Sequence, residues 1–170
     1  MPVETVKTFG LPRTELIWSW LSELPDPEVP VVSVVDLGMI CDVAVDGDTV
    51  EVSVAPTYSG CPATEVIEHD ILVLLRDKGV ANVRVRRVLT PAWTTDWITA
   101  EGRTKLLAFG IAPPSAAGGK RQLFDDRPAV ACPRCRSLQT AQVSEFGSTA
   151  CKASYKCQDC LEPFEYFKCI

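Results

Sequence analysis

The chain has 170 residues and a formal net charge of −5, with 46% apolar and 23% charged residues. This composition is globular and excludes an intrinsically disordered chain. No apolar run approaches the roughly 18–20 residues that a membrane-spanning helix needs, and the amino-terminal residues lack the basic and apolar regions of a signal peptide. We therefore expect a cytoplasmic protein that forms either one domain or a domain of about 110–120 residues with a small appendage.

The first predicted element is a helix over residues 14–24, with Thr14 at its N-cap. Its predicted core face comprises Leu16, Trp20, Leu21 and Leu24. Prolines at positions 25, 27 and 30 then end the helix.

Alternating apolar residues predict two strands over 41–45 and 50–54, joined by a hairpin turn at Asp46-Gly47-Asp48. A helix over 63–78 follows, with Pro62 at its first position and Gly79 at its C-terminal cap. A third strand over 83–86 and a less regular helix after Asp96 complete the series. The order α-β-β-α-β-α predicts a compact two-layer α/β domain over residues 1–111.

Residues 112–128 have the composition of a linker, with three prolines and paired glycines. Charge changes across it: residues 1–119 carry nine Lys/Arg against sixteen Asp/Glu, whereas residues 120–170 carry eight against six. A zinc ion bound by four thiolates would bring the second part close to neutrality. No basic stripe forms, so we expect no nucleic-acid partner.

The last 51 residues contain six of the eight cysteines. Two Cys-x-x-Cys motifs, separated by 21 residues, predict one tetrahedral zinc site in a β ribbon over 129–170, with a hairpin between the motifs. Its ligands are Cys132, Cys135, Cys157 and Cys160. The spacing alone does not exclude iron, an iron–sulfur cluster or free thiols. Cys151 and Cys169 are not assigned to this site. They are either two half-buried thiols or a thiol pair, or Cys151 competes as a metal ligand.

Cys61 lies between a predicted strand and the best-defined helix, where we place it at the N-cap. Backbone N–H groups and the helix dipole favour a thiolate there, which suits nucleophilic attack or binding of a soft metal. The alternative is a small apolar residue that fills a corner of the fold. Cys–His catalysis is disfavoured because the one histidine, His69, falls on the polar side of the same helix.

Several short motifs together resemble the MIP18 (domain of unknown function 59) family. They are Asp26-Pro27-Glu28, Asp36-Leu37-Gly38-Met39-Ile40, Thr57-x-x-x-Cys61-Pro62 and Pro91-Ala92-Trp93-Thr94. The cysteine-rich tail, including Phe146-Gly-Ser-Thr-Ala-Cys151 and Phe167-Lys-Cys169, is similar to the D subunits (also called J) of bacterial phenylacetyl-CoA 1,2-epoxidase systems.

The resemblance implies an accessory protein for iron–sulfur or metal maturation of that epoxidase, in aerobic phenylacetate degradation, rather than a catalytic subunit. It implies Cys61 as the reactive thiol or transient cluster ligand, Asp36 as its acidic partner, and Thr57 as part of the same motif. The implied partners are the reductase or oxygenase subunits. Because one cysteine cannot hold a cluster, a homodimer or a ligand from the client would be needed.

Two other classes remain as alternatives. One is direct participation in the oxygenase, as an electron-transfer, catalytic or structural subunit. An electron-transfer or catalytic role predicts a redox-active iron chromophore in the isolated protein. A di-iron centre within this chain is disfavoured, because its Glu-x-x-His pairs require two histidines and the sequence has one. A zinc-ribbon nucleic-acid adaptor conflicts with a pI near 4.9.

Overall fold

The computed structural model describes residues 13–58, 60–114 and 130–168. Its helices are α1 (Thr14–Leu21), α2 (Ala63–Asp77) and α3 (Ala100–Phe109), with a 3₁₀ turn at Thr95–Trp97. Its strands are β1 (Ile40–Asp46), β2 (Thr49–Val54), β3 (Asn82–Arg87), β4 (Ile111–Ala112), β5 (Thr140–Ser144), β6 (Lys152–Cys157) and β7 (Pro163–Phe167). None of the helices in these ranges is both long and apolar enough to cross a membrane. The predicted α+β fold with a carboxyl-terminal ribbon is confirmed.

The first sheet has the order β1-β2-β3. The β1–β2 hairpin is antiparallel and turns at Gly47, whose φ of 58° is one that glycine adopts without strain. Strand β3 runs parallel to β2, and α2 makes the crossover between them. The side chains of Ile67, Ile71 and Leu75 from α2 are buried at 0–1% exposure against this sheet. Spacings of four residues put these three on one face of the helix.

Helix α1 differs from the prediction in its ends and in its buried face. It ends at Leu21, and residues 22–23 form a turn ahead of Pro25, which disfavours helical geometry at the residue before it. The N-cap residue is Arg13, and Thr14 is the first helical residue, so the predicted Thr14 cap is wrong. Ile17 is fully buried, whereas the predicted core residue Leu16 is 45% exposed.

The second sheet has the order β4-β7-β6-β5. The hairpin of β5 and β6 follows the sequence prediction, and β7 adds a third strand that is antiparallel to β6. Strand β4 was not predicted: it directly follows α3 and pairs in parallel with β7, Ile111 opposite Glu165 and Ala112 opposite Tyr166. The predicted linker begins at Ala112, which lies in β4, and most of it falls outside the described residues.

The ribbon also contributes side chains to the core of the first domain. Phe167 of β7 is 1% exposed and Cys151 is 3% exposed, and both belong to the same buried cluster as α2 and the first sheet. The Phe167 ring lies 6.2 Å from the ring of Trp93, at a tilt of 59°. The two units therefore share one hydrophobic core at their junction, and the backbone pairing of β4 with β7 fixes their relative position.

Candidate metal centre and reactive-cysteine site

The four predicted zinc ligands converge in space. Among the described residues, they are the one group of three or more metal-binding side chains whose donor atoms all lie within 4.8 Å of one another. The Sγ atoms of Cys132 and Cys160 are 3.7 Å apart, and those of Cys135 and Cys157 are 3.5 Å apart. A regular tetrahedron with Zn–S bonds of about 2.3 Å has edges of about 3.8 Å. The observed spacing therefore fits one four-coordinate ion, and a closed shell of thiolates suits a structural zinc.

The two Cys-x-x-Cys turns have matching backbones. In each, the residue after the second cysteine adopts the left-handed conformation: Arg136 has a φ of 64° and Leu161 a φ of 62°. The turns are joined to each other by an Arg134–Glu162 ion pair and by a hydrogen bond from the Ser137 hydroxyl to a carboxylate on the second turn. The chain folds back at each left-handed residue, so that the Cys132 amide donates to the Ser137 carbonyl and the Cys157 amide to the Glu162 carbonyl, both at 2.9 Å.

Backbone N–H groups of the second turn point at its first sulfur. The amide of Cys160, followed by that of Asp159, lowers the pKa of the Cys157 thiol to about 7. By contrast, the pKa of Cys160 is raised to about 12: the amide of Glu162 acts to lower it, but burial and the neighbouring thiols outweigh that effect. Four thiols at this distance cannot all ionise without a compensating cation, and a bound divalent ion supplies that charge.

Cys61 lies immediately before the helix that was predicted to hold it. The N-cap of α2 is Pro62, one residue later than expected. The Cys61 amide donates to the Tyr58 carbonyl at 3.1 Å, and the Cys61 carbonyl accepts from the Thr64 amide at 3.2 Å. These bonds form a tight turn between β2 and α2 that leaves the thiol partly exposed. The placement at the amino-terminal end of α2 is retained, but the predicted N-cap position is wrong by one residue.

Asp36 lies in a turn that connects three parts of the first domain. Its carboxylate accepts from the Ser33 amide at 2.9 Å and from the Lys105 ammonium at 2.9 Å, while its own amide donates to the Ser33 hydroxyl. Burial acts to raise the pKa of Asp36, but the Ser33 amide and Lys105 outweigh it and lower that pKa below 3.8. The Asp36 backbone carbonyl accepts from the amide of Thr99, the N-cap residue of α3. The contacts of Asp36 thus hold the loop and α3 together.

The other motif residues explain why this loop has its sequence. A Cβ atom on Gly38, which has a φ of +67°, would lie 2.3 Å from the Trp97 carbonyl oxygen, so the position requires glycine. The Trp93 indole N–H donates to the Leu37 carbonyl at 2.8 Å. Thr57 is buried and lines a cavity of about 420 Å³ together with Tyr58 and Trp93. The motif segments that include Asp36, Thr57 and Trp93 therefore meet on one side of the domain.

Cys151 lies at the junction of the two units, apart from the four metal ligands. Its Sγ is 3.7 Å from a carboxylate oxygen of Glu28 and 3.1 Å from the Thr149 hydroxyl. Burial raises the pKa of Cys151 to about 11, and the charge of Glu28 adds to the shift. The thiol is therefore neutral at pH 7. Cys169, the other leftover cysteine, lies outside the described residues.

Tyr58, three positions before Cys61, is partly buried. Its pKa is raised to about 12, mainly by burial, and the nearby charges of Cys61, Glu28 and Cys151 contribute to this shift. A phenol that stays protonated at neutral pH can donate to a thiolate and stabilise it.

Sequence reasoning identified Cys61 but did not single out Tyr58 near it, or Glu28 beside Cys151. Both lie in segments that had been singled out: Glu28 ends the Asp26-Pro27-Glu28 motif, and Tyr58 follows Thr57. The position of Cys151 beside Glu28 depends on how the ribbon packs against the first domain, and the spacing of these two residues in the chain carries no signal of that contact. His69 is exposed and pairs with the adjacent Asp70.

Comparison with known proteins agrees with this division. The family model for an iron–sulfur cluster assembly protein matches residues 14–88, and the model for the PaaD zinc beta ribbon domain matches residues 116–168. The chain is 46% identical over 168 residues, which is 99% of its length, to the whole of a protein from Escherichia coli (strain K12). That relative is provisionally named as the D subunit of 1,2-phenylacetyl-CoA epoxidase.

A solved structure resembles the first domain. The crystal structure of a domain of unknown function 59 from Bacillus anthracis is 25% identical, with a TM-score of 0.51. The match covers 54% of this chain and 89% of the other. In this chain, the ribbon therefore follows a domain that resembles the Bacillus anthracis structure.

Proposed function

Because the chain belongs to the family of phenylacetyl-CoA epoxidase D subunits, with an iron–sulfur cluster assembly domain before a zinc ribbon, we propose that it is a maturation factor for that epoxidase. In this proposal it delivers an iron–sulfur cluster to a metal-bearing subunit of the multicomponent enzyme and does not itself oxidise substrate. The reductase subunit is the proposed client, in the cytoplasm.

The observation that carries the proposal is the setting of Cys61. Its thiol is partly exposed in a tight turn at the start of α2, next to the Tyr58 phenol. Transfer by ligand exchange needs no oxidant: a new iron–sulfur bond forms to Cys61, the bond to the donor thiolate breaks, and the Cys61 proton passes to the departing thiolate. Tyr58 is suited to stabilise the sulfur by hydrogen bonding while it carries negative charge.

Asp36 and Thr57 are proposed to support this site. The ion pair of Asp36 with Lys105 holds α3 against the loop that carries the motif, and Thr57 fixes the wall of the adjoining cavity. We propose that the four ribbon cysteines hold zinc, which makes folding of the ribbon conditional on the metal, with a free energy of about 10–16 kcal/mol for such sites. The ribbon then serves as a docking unit rather than a redox centre.

The test is the cluster content of the client. The reductase is purified anaerobically from strains that express the wild-type chain, a Cys61→Ser variant or a Cys41→Ser variant, and its iron and acid-labile sulfide are measured. Cys41 is an exposed cysteine on β1 and serves as the matched control. We expect the client to lose cluster in the Cys61→Ser strain alone. Unchanged content in that strain would refute the maturation role.

The same preparations test the rival role, direct participation in electron transfer. Metal analysis and visible absorption of the isolated, anaerobically purified chain should show one zinc per chain and no iron chromophore. A stable chromophore that is reduced and reoxidised by the epoxidase subunits would instead support the rival role.

A further inference from the structure

A cavity of about 420 Å³ opens beside the turn that carries Cys61. Its walls come from residues 56–58, which follow β2, and from residues between 88 and 94, which follow β3. The carbonyl of Tyr58, a wall residue, accepts from the Cys61 amide at 3.1 Å. A protein that comes close enough to the Cys61 thiol to exchange a ligand therefore also comes next to this cavity.

The interior of the cavity suits an apolar side chain. Trp93 is 4% exposed, and the N–H of its indole ring already donates to the Leu37 carbonyl at 2.8 Å. Leu89, another wall residue, is 58% exposed, so a large apolar side chain is left in contact with water there. Because most of the walls are apolar, an apolar group that replaces the water in the cavity lowers the free energy.

The charged groups between Cys61 and the cavity carry a net negative charge. Helix α2 presents Glu65 and Glu68 after Cys61, and their spacing of three residues places them on one face of the helix. The Glu68 carboxylate accepts two hydrogen bonds from Arg87, at 2.7 and 3.0 Å, and Arg87 directly precedes the wall residue Val88. Glu65 is exposed, and no cation of the described residues is paired with it. Charge complementarity therefore favours a partner that brings a positive charge to Glu65.

A second copy of this chain does not meet that requirement. Residues 1–119 carry nine Lys/Arg against sixteen Asp/Glu. A symmetric dimer formed through this surface would bring the same acidic residues of both copies together, and like charges repel. The surface is therefore suited to a different protein.

We propose that this cavity is the client-recognition pocket of the maturation factor. It takes an apolar side chain of the reductase subunit, from a segment that also carries a lysine or arginine and lies beside the cysteine that receives the cluster. The apolar side chain enters between Tyr58 and Trp93, and the basic residue pairs with Glu65. The inference rests on the proposed function and names the contact that aligns the client with Cys61, in addition to docking through the ribbon.

The experiment measures the affinity of the full zinc-loaded chain for the purified apo reductase subunit, by anaerobic isothermal titration calorimetry. Leu89→Asp places a charge at the cavity, and Glu65→Lys reverses the charge beside it. We expect each variant to raise the dissociation constant at least about 10-fold. The matched controls are Leu16→Asp, at a leucine of α1 that is 45% exposed, and Asp77→Lys, at an exposed acid on the other end of α2. Both controls should bind within about twofold of the wild type.

The outcomes separate the pocket from the proposed function. Wild-type affinity in Leu89→Asp, or no binding by the wild type itself, overturns the pocket, and wild-type affinity in Glu65→Lys overturns the pairing with a basic residue. In each of these cases the proposed function still stands if the client from the Cys61→Ser strain is depleted of cluster, and it fails if that client is fully loaded. Zinc content and the urea midpoint of the tryptophan fluorescence establish that each variant is folded.

A measurement on the wild type alone covers the case in which a variant does not fold. Because Leu89 is 58% exposed, hydroxyl radicals should oxidise it in the free chain, and bound apo reductase should protect it. An unchanged rate of oxidation at Leu89 in the complex would overturn the pocket. Protection that appears without reductase, as the concentration of this chain rises, would identify a second copy as the occupant and would also overturn the inference.

Discussion

Replacing Phe167 with alanine should destabilise the first domain, although Phe167 lies in the ribbon. Its side chain is 1% exposed, belongs to the core cluster of the first domain and contacts the Trp93 ring. Truncation of a buried phenylalanine costs about 3–5 kcal/mol in free energy of unfolding. With a urea m-value of about 2 kcal/mol/M, the unfolding midpoint should fall by about 1.5–2.5 M.

Tryptophan fluorescence is a selective probe for this experiment. The four tryptophans, Trp18, Trp20, Trp93 and Trp97, are all in the first domain. Urea unfolding followed by this signal therefore reports the first domain and not the ribbon itself. The control is Phe146→Ala, which truncates a ribbon phenylalanine that is 61% exposed. Its contact with Lys168 limits the expected loss to about 0.5–1 kcal/mol.

The comparison has a clear contrary result. If the two domains were independent, Phe167→Ala would leave the midpoint of the tryptophan signal at the wild-type value. It would then change only the retention of zinc. That outcome would refute a shared core, and with it the burial of Cys151 against the first domain.

Three further predictions concern single positions. Asp36→Asn should cost about 1–2 kcal/mol at pH 7. The folded-state pKa of Asp36 lies below 3.8, so this stabilisation is present above pH 3.8 and is lost as the pH falls through the folded-state pKa. The unfolding midpoints of the two proteins in urea should therefore converge in acid. A difference that stays constant with pH would contradict the assignment. Gly102→Ala should lower the free energy of unfolding by about 1–3 kcal/mol, measured by heat or urea, because the added Cβ would lie 2.7 Å from the Asp36 carbonyl oxygen. In the comparison variant Gly79→Ala, the added Cβ meets no atom within 4 Å, and the substitution is disfavoured only by the φ of +93°. Leu161→Gly should stabilise the ribbon by about 0.5–1 kcal/mol, because glycine adopts the left-handed φ of 62° without strain and the leucine side chain is exposed. The variant should release zinc to a chelator more slowly than the wild type. Faster release would contradict the prediction.

Local patterns in the sequence were sufficient for most elements. Alternating valines gave β1 and β2, and the repeat of Ile67, Ile71 and Leu75 gave α2. The hairpin of the ribbon followed from the spacing of the cysteine pairs. Helix α3 was harder to place, because its buried residues are only Gly102 and Leu106 and no apolar stripe marks one face. Gly102 is buried for close contact with Asp36, which no periodicity reveals.

By itself, the sequence identified the four cysteines of the candidate metal centre, because Cys-x-x-Cys spacing lets both thiols of a short turn face one ion. It also determined the class of both domains and the candidate reactive cysteine, through motifs a few residues long. The tertiary structure decided how the two units join: the pairing of β4 with β7, Phe167 against Trp93, and Cys151 beside Glu28. These contacts link residues that are up to 123 positions apart. Packing of distant segments, rather than local propensity, brings such residues together.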